Sequence, residues 1–341
     1  MTPALILRRA GAGALALALL ILAVAAGAAL GETAIPLSTV AATVAQKLWG
    51  AATSVDAIDA GIVWNYRIAR ALMAAACGMA LAVSGAVLQS LLRNPLADPY
   101  LLGISAGAST GAVSVAVLGL GGGALSLTSG ALAGALLAFA LVAFLAWRAG
   151  RGAASVILAG IAGSQLFNAL TSFVVAKAAT ADQARGILFW LLGNLSGTRW
   201  PDVTVAVPAA LIGTAVCVAH ARALDAFAFG TDSAASLGVP VRRVQVTLVL
   251  AAAAMTAVMV GFVGSIGFVG LVVPHVARMF VGVRHGALLP ASAVAGAVFM
   301  IAADVLSRVV VQGQVLPIGV MTALVGAPIF AVILVHRRID R

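Results

Sequence analysis

Charge is what this sequence has least of. Asp, Glu, Lys and Arg make up 9% of the 341 residues, against about 25% in an ordinary soluble domain. A chain so poor in charge cannot cover itself with a solvated surface. Lysine is reduced to Lys47 and Lys177, and no GxxxxGK[ST] stretch occurs, which excludes nucleotide hydrolysis through a phosphate loop. Aromatic residues contribute only 6%. The two cysteines, Cys77 and Cys217, sit inside apolar runs, and their spacing excludes a disulfide framework or a thiolate metal motif. Core packing is the reading left for both.

What fills the chain is hydrophobicity, at 63% of residues. About 20 consecutive apolar residues cross the hydrocarbon core of a bilayer, and such runs recur along nearly the whole sequence. The fold class expected is an all-α integral membrane protein with about ten transmembrane helices. They fall at about 10–30, 68–92, 99–119, 124–147, 153–176, 203–220, 244–263, 265–283, 287–309 and 316–336. Abundant Ala and Gly would let helix backbones approach closely in lipid, although a GC-rich genome enriches the same residues. The run from Ala10 to Leu30 follows Arg8 and Arg9; it is too long for a signal-peptide core and reads as the first span. In the eighth run, Gly261, Gly264, Gly267 and Gly270 fall every third residue and Pro274 follows, so a bend or break is expected there. Ten spans use up residues 1–341 as a single transmembrane domain.

Charge placement orients this arrangement. With an even number of spans both ends share one side. That side holds 13 of the 20 basic residues, including Arg8, Arg9, Arg93, Arg148, Arg151, Arg242, Arg243, Arg337, Arg338 and Arg341. The other holds 7: Lys47, Arg67, Arg70, Lys177, Arg185, Arg199 and Arg308. The excess places both termini in the cytoplasm, and the net charge of +10 needs no nucleic acid to explain it. Two external segments are longer than packing requires. Residues 31–66, with Glu32, Pro36, Asp56 and Asp59, should include a surface helix near Ser38–Trp49. Residues 177–202 contain an apolar stretch, Ile187–Leu192, too short to cross, which reads as a half-length helix at the outer surface. Trp190 and Trp200 there equally suit plain interface anchors.

The most informative stretch is Arg93-Asn94-Pro95-Leu96-Ala97-Asp98-Pro99-Tyr100-Leu101-Leu102-Gly103-Ile104-Ser105-Ala106-Gly107. Pro95 and Pro99 forbid helix continuation, while Asn94 and Asp98 can bond freed backbone groups, giving a rigid turn between two spans. Gly103, Gly107 and Gly111 then put small residues at every fourth position. Further segments follow in a fixed order: Gly193-Asn194-Leu195-Ser196-Gly197; Ser236-Leu237-Gly238-Val239-Pro240; Gly267-Phe268-Val269-Gly270-Leu271-Val272-Val273-Pro274-His275; Ala303-Asp304; Leu316-Pro317-Ile318-Gly319; and Gly326-Ala327-Pro328. Together they resemble permease subunits of the iron-siderophore, haem and cobalamin ABC importers, the FecCD-like type II importers. The likeness runs from about Arg67 to the carboxyl end.

That resemblance implies a homodimer in a bacterial inner membrane, with two ATPase subunits below and a periplasmic substrate-binding protein above. ATP and Mg would be bound by the ATPase, with no cofactor, catalytic residue or metal ligand in this chain. It implies a gate at Asn94, Pro95, Leu96, Ala97 and Asp98, and a second at Ala153, Ala154 and Ser155. It places a coupling helix in the cytoplasmic loop 221–243, through Asp232, Ser236, Leu237, Gly238, Val239 and Pro240; by the residues alone, Asp232 starts and Gly238 and Pro240 stop a short surface helix. It makes Arg67, Arg70 and Arg308 contacts for acidic groups of the binding protein. Snorkelling of these arginines to headgroups, and pairing of Arg308 with Asp304 one turn earlier, are alternatives on the residues alone. It lines the pathway with Gln165, Asn168, Ser172 and Phe173. The three polar residues share one helix face, where interhelical hydrogen bonding would also suit them.

The cargo implied is a ferric chelate, siderophore or haem, with cobalamin as the alternative. An ion-coupled secondary transporter would keep ionisable residues at mid-membrane, whereas only Asp304 of the ten acidic residues falls inside a span. An intramembrane enzyme built on His275 lacks a partnered acid or second ligand in the sequence. His220, His285 and His336 fall at helix ends or turns.

Overall fold

A computed structural model describes residues 3–31, 33, 35–52, 55–122, 125–150, 152–178 and 180–339, with residues 3–10, 12, 178, 334 and 336–339 described by backbone alone. Glu32, Arg151 and Arg341 lie outside the described residues, as do the side chains of Arg8, Arg9, His336, Arg337 and Arg338.

The described chain is helical throughout. In order it forms α1 (Pro3–Ala29), α2 (Leu37–Trp49), α3 (Ala57–Ile62), a π turn (Val63–Ile68), α4 (Ala69–Leu91), a 3-10 turn (Pro99–Leu102), α5 (Ile104–Leu118), α6 (Leu127–Arg148), α7 (Ala153–Ala178) and α8 (Ala181–Leu191). There follow α9 (Trp200–Ala219), α10 (Ala221–Phe227), α11 (Thr231–Ser236), α12 (Val241–Val263), α13 (Val269–Val281), α14 (His285–Val309) and α15 (Ile318–Ile339). Among the described residues six stretches are long and apolar enough to cross a membrane: Ala57–Leu91, α6, α7, α9, α12 and α14. Four shorter apolar helices, in α1, α5, α13 and α15, complete the ten expected.

The departures from expectation have local causes. The second span starts at Ala57, not near residue 68, because Asp56 caps it, accepting the N–H groups of Ile58 (3.0 Å) and Asp59 (3.3 Å); hydropathy does not register a cap. The third starts at Ile104, since the tight 3-10 turn closes on Gly103 at φ 74°, a left-handed conformation that glycine adopts without strain. The eighth does break. Gly264 (φ 75°) ends α12, residues 265–268 are not helical, and Phe268 enters α13 at φ 68°. The surface helix appears as α2, and the half-length helix as α8, which opens on a Thr180–Gln183 capping box.

At the centre stands α4, packed on α9, α12, α13 and α14. In Ala57–Leu91, 83% of the most apolar window is buried, against 17% in α7, which makes α4 the hub and α7 the rim. Close approach depends on glycine pairs. A Cβ added to Gly78 would fall 2.0 Å from the Gly296 carbonyl oxygen, and one on Gly85 would fall 1.9 Å from that of Gly270. Gly107 and Gly111 of α5 meet Gly134 and Gly130 of α6 in the same way, the small-residue packing expected in lipid. Cys77 and Cys217 are free thiols buried in the core.

Candidate functional site

The turn after α4 is built by its own side chains. Asn94 donates its N–H to the Gln89 carbonyl (3.0 Å), and its Oδ1 accepts the Leu96 N–H (2.9 Å). Asp98 Oδ1 accepts the Tyr100 N–H (2.9 Å) at the start of the 3-10 turn. Burial pushes the Asp98 carboxyl up to about 6, against the lowering effect of that bond. Arg93 enters the turn at φ 48°, left-handed for a residue with a Cβ. Ala97 is buried while Pro95 and Leu96 are exposed. Gln89, Arg93, Pro95 and Arg278 line an open cavity of about 290 Å³ beside it.

The other face of the turn is fastened to the break between α12 and α13. Tyr100 Oη donates to the Ile266 carbonyl (3.0 Å) and accepts the Ile266 N–H (2.8 Å), and Ser105 Oγ donates to Ser265 Oγ (2.9 Å). At 13 residues, α13 is about 20 Å long, short of a ~30 Å hydrocarbon core. Its non-helical entry must therefore find partners within the protein. Tyr100 supplies both. Sequence reasoning missed this role, because the partner lies 166 residues away. The nearest signal was a tyrosine directly after Pro99.

In the segment expected to form the second gate, Ala153 and Ala154 are exposed and Ser155 Oγ donates to the Ala149 carbonyl (2.9 Å). Two turns on, a Cβ on Gly160 would fall 1.8 Å from the Leu101 carbonyl oxygen, so α7 and the 3-10 turn touch through their backbones. Higher on α7, Thr171 faces inward to Thr110 (2.9 Å). Gln165, Asn168, Ser172 and Phe173 all point out of the protomer, Phe173 being 62% exposed. A polar stripe turned outward on a spanning helix is costly against lipid.

At the end of the bundle where α4 begins and α14 finishes, the π turn, α4 and α14 bring Arg67, Arg70 and Arg308 into one cluster. Arg67 Nη1 donates to the carbonyls of Ala28 (3.1 Å) and Ala29 (2.9 Å), and Nη2 to that of Thr33 (2.5 Å). Arg308 donates to the carbonyls of Leu30 (2.8 Å) and Gly27 (3.0 Å). Two cations thus complete the carbonyl end of α1, which no sequence pattern indicated. Asp304, 1% exposed, is 2.6 Å from Arg70 Nε through Oδ1 and 3.0 Å from Arg308 Nη2 through Oδ2. The second contact lies off the hydrogen-bond direction and is purely ionic. Arg70 also donates to Ser196 (3.0 Å) and is the least buried of the three arginines. Trp200 is half-buried rather than a free interface anchor: its indole lies 4.9 Å from that of Trp64 and donates to the Trp64 carbonyl (3.0 Å).

The loop 221–243, expected on the cytoplasmic side, holds two helices where one was expected. The first, α10, buries Leu224 and Phe227 in the core. The second, α11, starts at Thr231 after Gly230, one residue before the expected Asp232. Asp232 occupies the first turn without capping it, while Gly238 (φ 81°) stops the helix as expected. Asp232, Ser236, Leu237, Gly238 and Pro240 are exposed and Val239 is half-buried, with Leu237 at 71% and Phe229 at 78%. These are large apolar side chains on a segment outside the spans. Among the described residues no group of three or more His, Cys, Asp or Glu is placed to hold a metal ion.

Comparison with known proteins adds independent findings. A family model described as the FecCD transport family matches residues 18–336. The chain is 40% identical over 285 residues to the cobalamin import system permease protein BtuC of Halobacterium salinarum, covering 82% of this chain and 74% of that one. It is 35% identical over 277 residues to the Fe(3+) dicitrate transport system permease protein FecD of Escherichia coli, covering 81% and 86%. A solved metal-chelate type ABC transporter in an inward-facing conformation superposes with a TM-score of 0.81 at 26% identity, covering 94% of this chain and 97% of that one.

Proposed function

Since this chain belongs to the FecCD transport family and is a multi-pass permease subunit of an ABC importer, we propose that two copies of it form a pathway for a ferric chelate. The observation that carries the homodimer is the face of α7. Gln165, Asn168 and Ser172 point away from the protomer on a span that is only 17% buried. A second α7 across a water-filled conduit removes the cost of placing them in lipid. Scattered, weak hydrogen-bonding groups with Phe173 suit a wall that passes a bulky solute without holding it.

The gates in this reading are Asn94–Asp98 and Ala153–Ser155, which adjoin the 3-10 turn and the start of α7, two elements that touch at Leu101 and Gly160. The ATPase docks on α11 and its exposed neighbours Phe229 and Leu237, and the termini are cytoplasmic. The binding protein meets the external arginine cluster, with Arg70 the most accessible of the three. Arg67 and Arg308 act there by fixing the end of α1. Cobalamin is the second reading of the cargo, favoured by the higher identity to a cobalamin permease, 40% against 35%.

The test is reconstitution in lipid with the ATPase and binding protein encoded beside this chain. Hydrolysis and uptake are recorded with haem, a ferric siderophore and cobalamin. Uptake of an iron chelate with stimulated hydrolysis, by a particle holding two permeases, is the expected result. Stimulation by cobalamin alone would replace the cargo, and a particle with one permease would remove the homodimer.

A further inference from the structure

Three polar side chains outside the gates and the arginine cluster meet on the cytoplasmic side. Asp225 lies in α10, His285 opens α14, and Ser90 lies in the last turn of α4. Asp225 Oδ1 accepts two bonds from His285, one from its backbone N–H (2.8 Å) and one from Nδ1 (2.7 Å). A carboxylate oxygen only accepts, so Nδ1 carries a proton, and in the neutral imidazole the Nε2 lone pair receives the Ser90 hydroxyl. The first bond also caps α14, with an anion at its amino end. The order Ser–His–Asp is that of a hydrolase triad, but the setting opposes that chemistry. Ser90 sits at the carbonyl end of α4, whose dipole would repel a developing oxyanion.

The same setting suits transmission. On one side Asp225 belongs to α10, which is anchored by Leu224 and Phe227 and carries α11 on its surface. On the other, the Ser90 carbonyl accepts the Arg93 N–H (3.2 Å) and the neighbouring Gln89 carbonyl accepts that of Asn94. A shift of Ser90 therefore acts within four residues on a turn entered through a left-handed Arg93. We propose that Asp225, His285 and Ser90 are positioning residues that link movement of the α10–α11 segment to the Asn94–Asp98 gate. This rests on the reading of α11 as the ATPase contact.

The experiment uses the reconstituted assembly and reads cargo imported per ATP hydrolysed, with ATPase association measured in parallel. Ser90→Ala removes one hydroxyl at a half-buried site. His285→Asn keeps a donor near the Nδ1 position for Asp225 but cannot reach Ser90. Both should hydrolyse ATP and retain the ATPase while importing about fivefold less cargo per ATP, the scale of coupling carried by such contacts. Ser90→Thr, which restores the hydroxyl, should recover the wild-type ratio. Wild-type ratios in both Ser90→Ala and His285→Asn would overturn the proposal, as would an equal loss in Ser90→Thr, which would leave only packing. If the wild-type chain binds no ATPase, the reading of α11 fails instead; a working wild type beside unaffected variants removes the linkage alone.

Discussion

Replacing Asp304 by Asn tests whether the cluster of Arg67, Arg70 and Arg308 is part of the fold. The carboxylate is 1% exposed and lies 2.6 Å from Arg70 and 3.0 Å from Arg308, itself 7% exposed. Removing one partner of a buried ion pair costs about 3–5 kcal/mol, because the remaining charge stays desolvated and uncompensated. Arg308 keeps its bonds to the Gly27 and Leu30 carbonyls, and Arg70 keeps Ser196. The lower end, about 3 kcal/mol, is therefore expected. Unfolding of the purified permease by SDS, followed by tryptophan fluorescence, reads this directly; the tilted Trp64–Trp200 pair reports on the same end of the molecule. The double variant Asp304→Leu with Arg308→Met should not regain the loss, since it leaves Arg70 without its carboxylate and the Gly27 and Leu30 carbonyls without their donor. An Asp304→Asn protein within about 0.5 kcal/mol of wild type, the range of an inconsequential surface change, would refute the reasoning. The α1 carbonyls alone would then hold the arginines.

Two further outcomes follow from the turn after α4 and its bonds to the break before α13. Tyr100→Phe leaves both the N–H and the carbonyl of Ile266 without their partner, at about 1–3 kcal/mol for each group; it should lower the same unfolding midpoint, and an unchanged midpoint would show that the break is satisfied otherwise. Asp98 prefers its neutral form in the folded protein, since burial raises it from 3.8 to about 6. Its contribution is fully present below the unfolded value and is lost as pH rises through the folded one, so wild-type stability should fall between about pH 4 and pH 6. Asp98→Asn keeps the acceptor for the Tyr100 N–H and should flatten that slope; an identical slope in the variant would assign the titration to another group.

Some parts of the site were legible because their chemistry is local. The Asn94 and Asp98 turn bonds span two residues each, so the residue types announce them. Gly238 stops α11 for the same kind of reason. The roles of Arg67 and Arg308 were not legible, because their acceptors lie 38 and 278 residues away at the end of α1 and just beyond it. A basic residue reads as a docking charge until the carbonyl end it completes is in view. Likewise, Ser90, Asp225 and His285 come from three separate helices, and nothing in their own neighbourhoods distinguishes them.

Composition and periodicity determined the medium and the class. Apolar runs with so few charges are stable only in lipid, and helices are the way such runs satisfy their own backbone. The repeated glycines and the Gly264–Phe268 break could also be read along the chain, since backbone freedom is a property of single residues. Tertiary structure alone decided which helix lies at the centre and which face of α7 is left uncovered. It also decided which buried charges are paired, because burial and pairing depend on neighbours that only the packed bundle supplies.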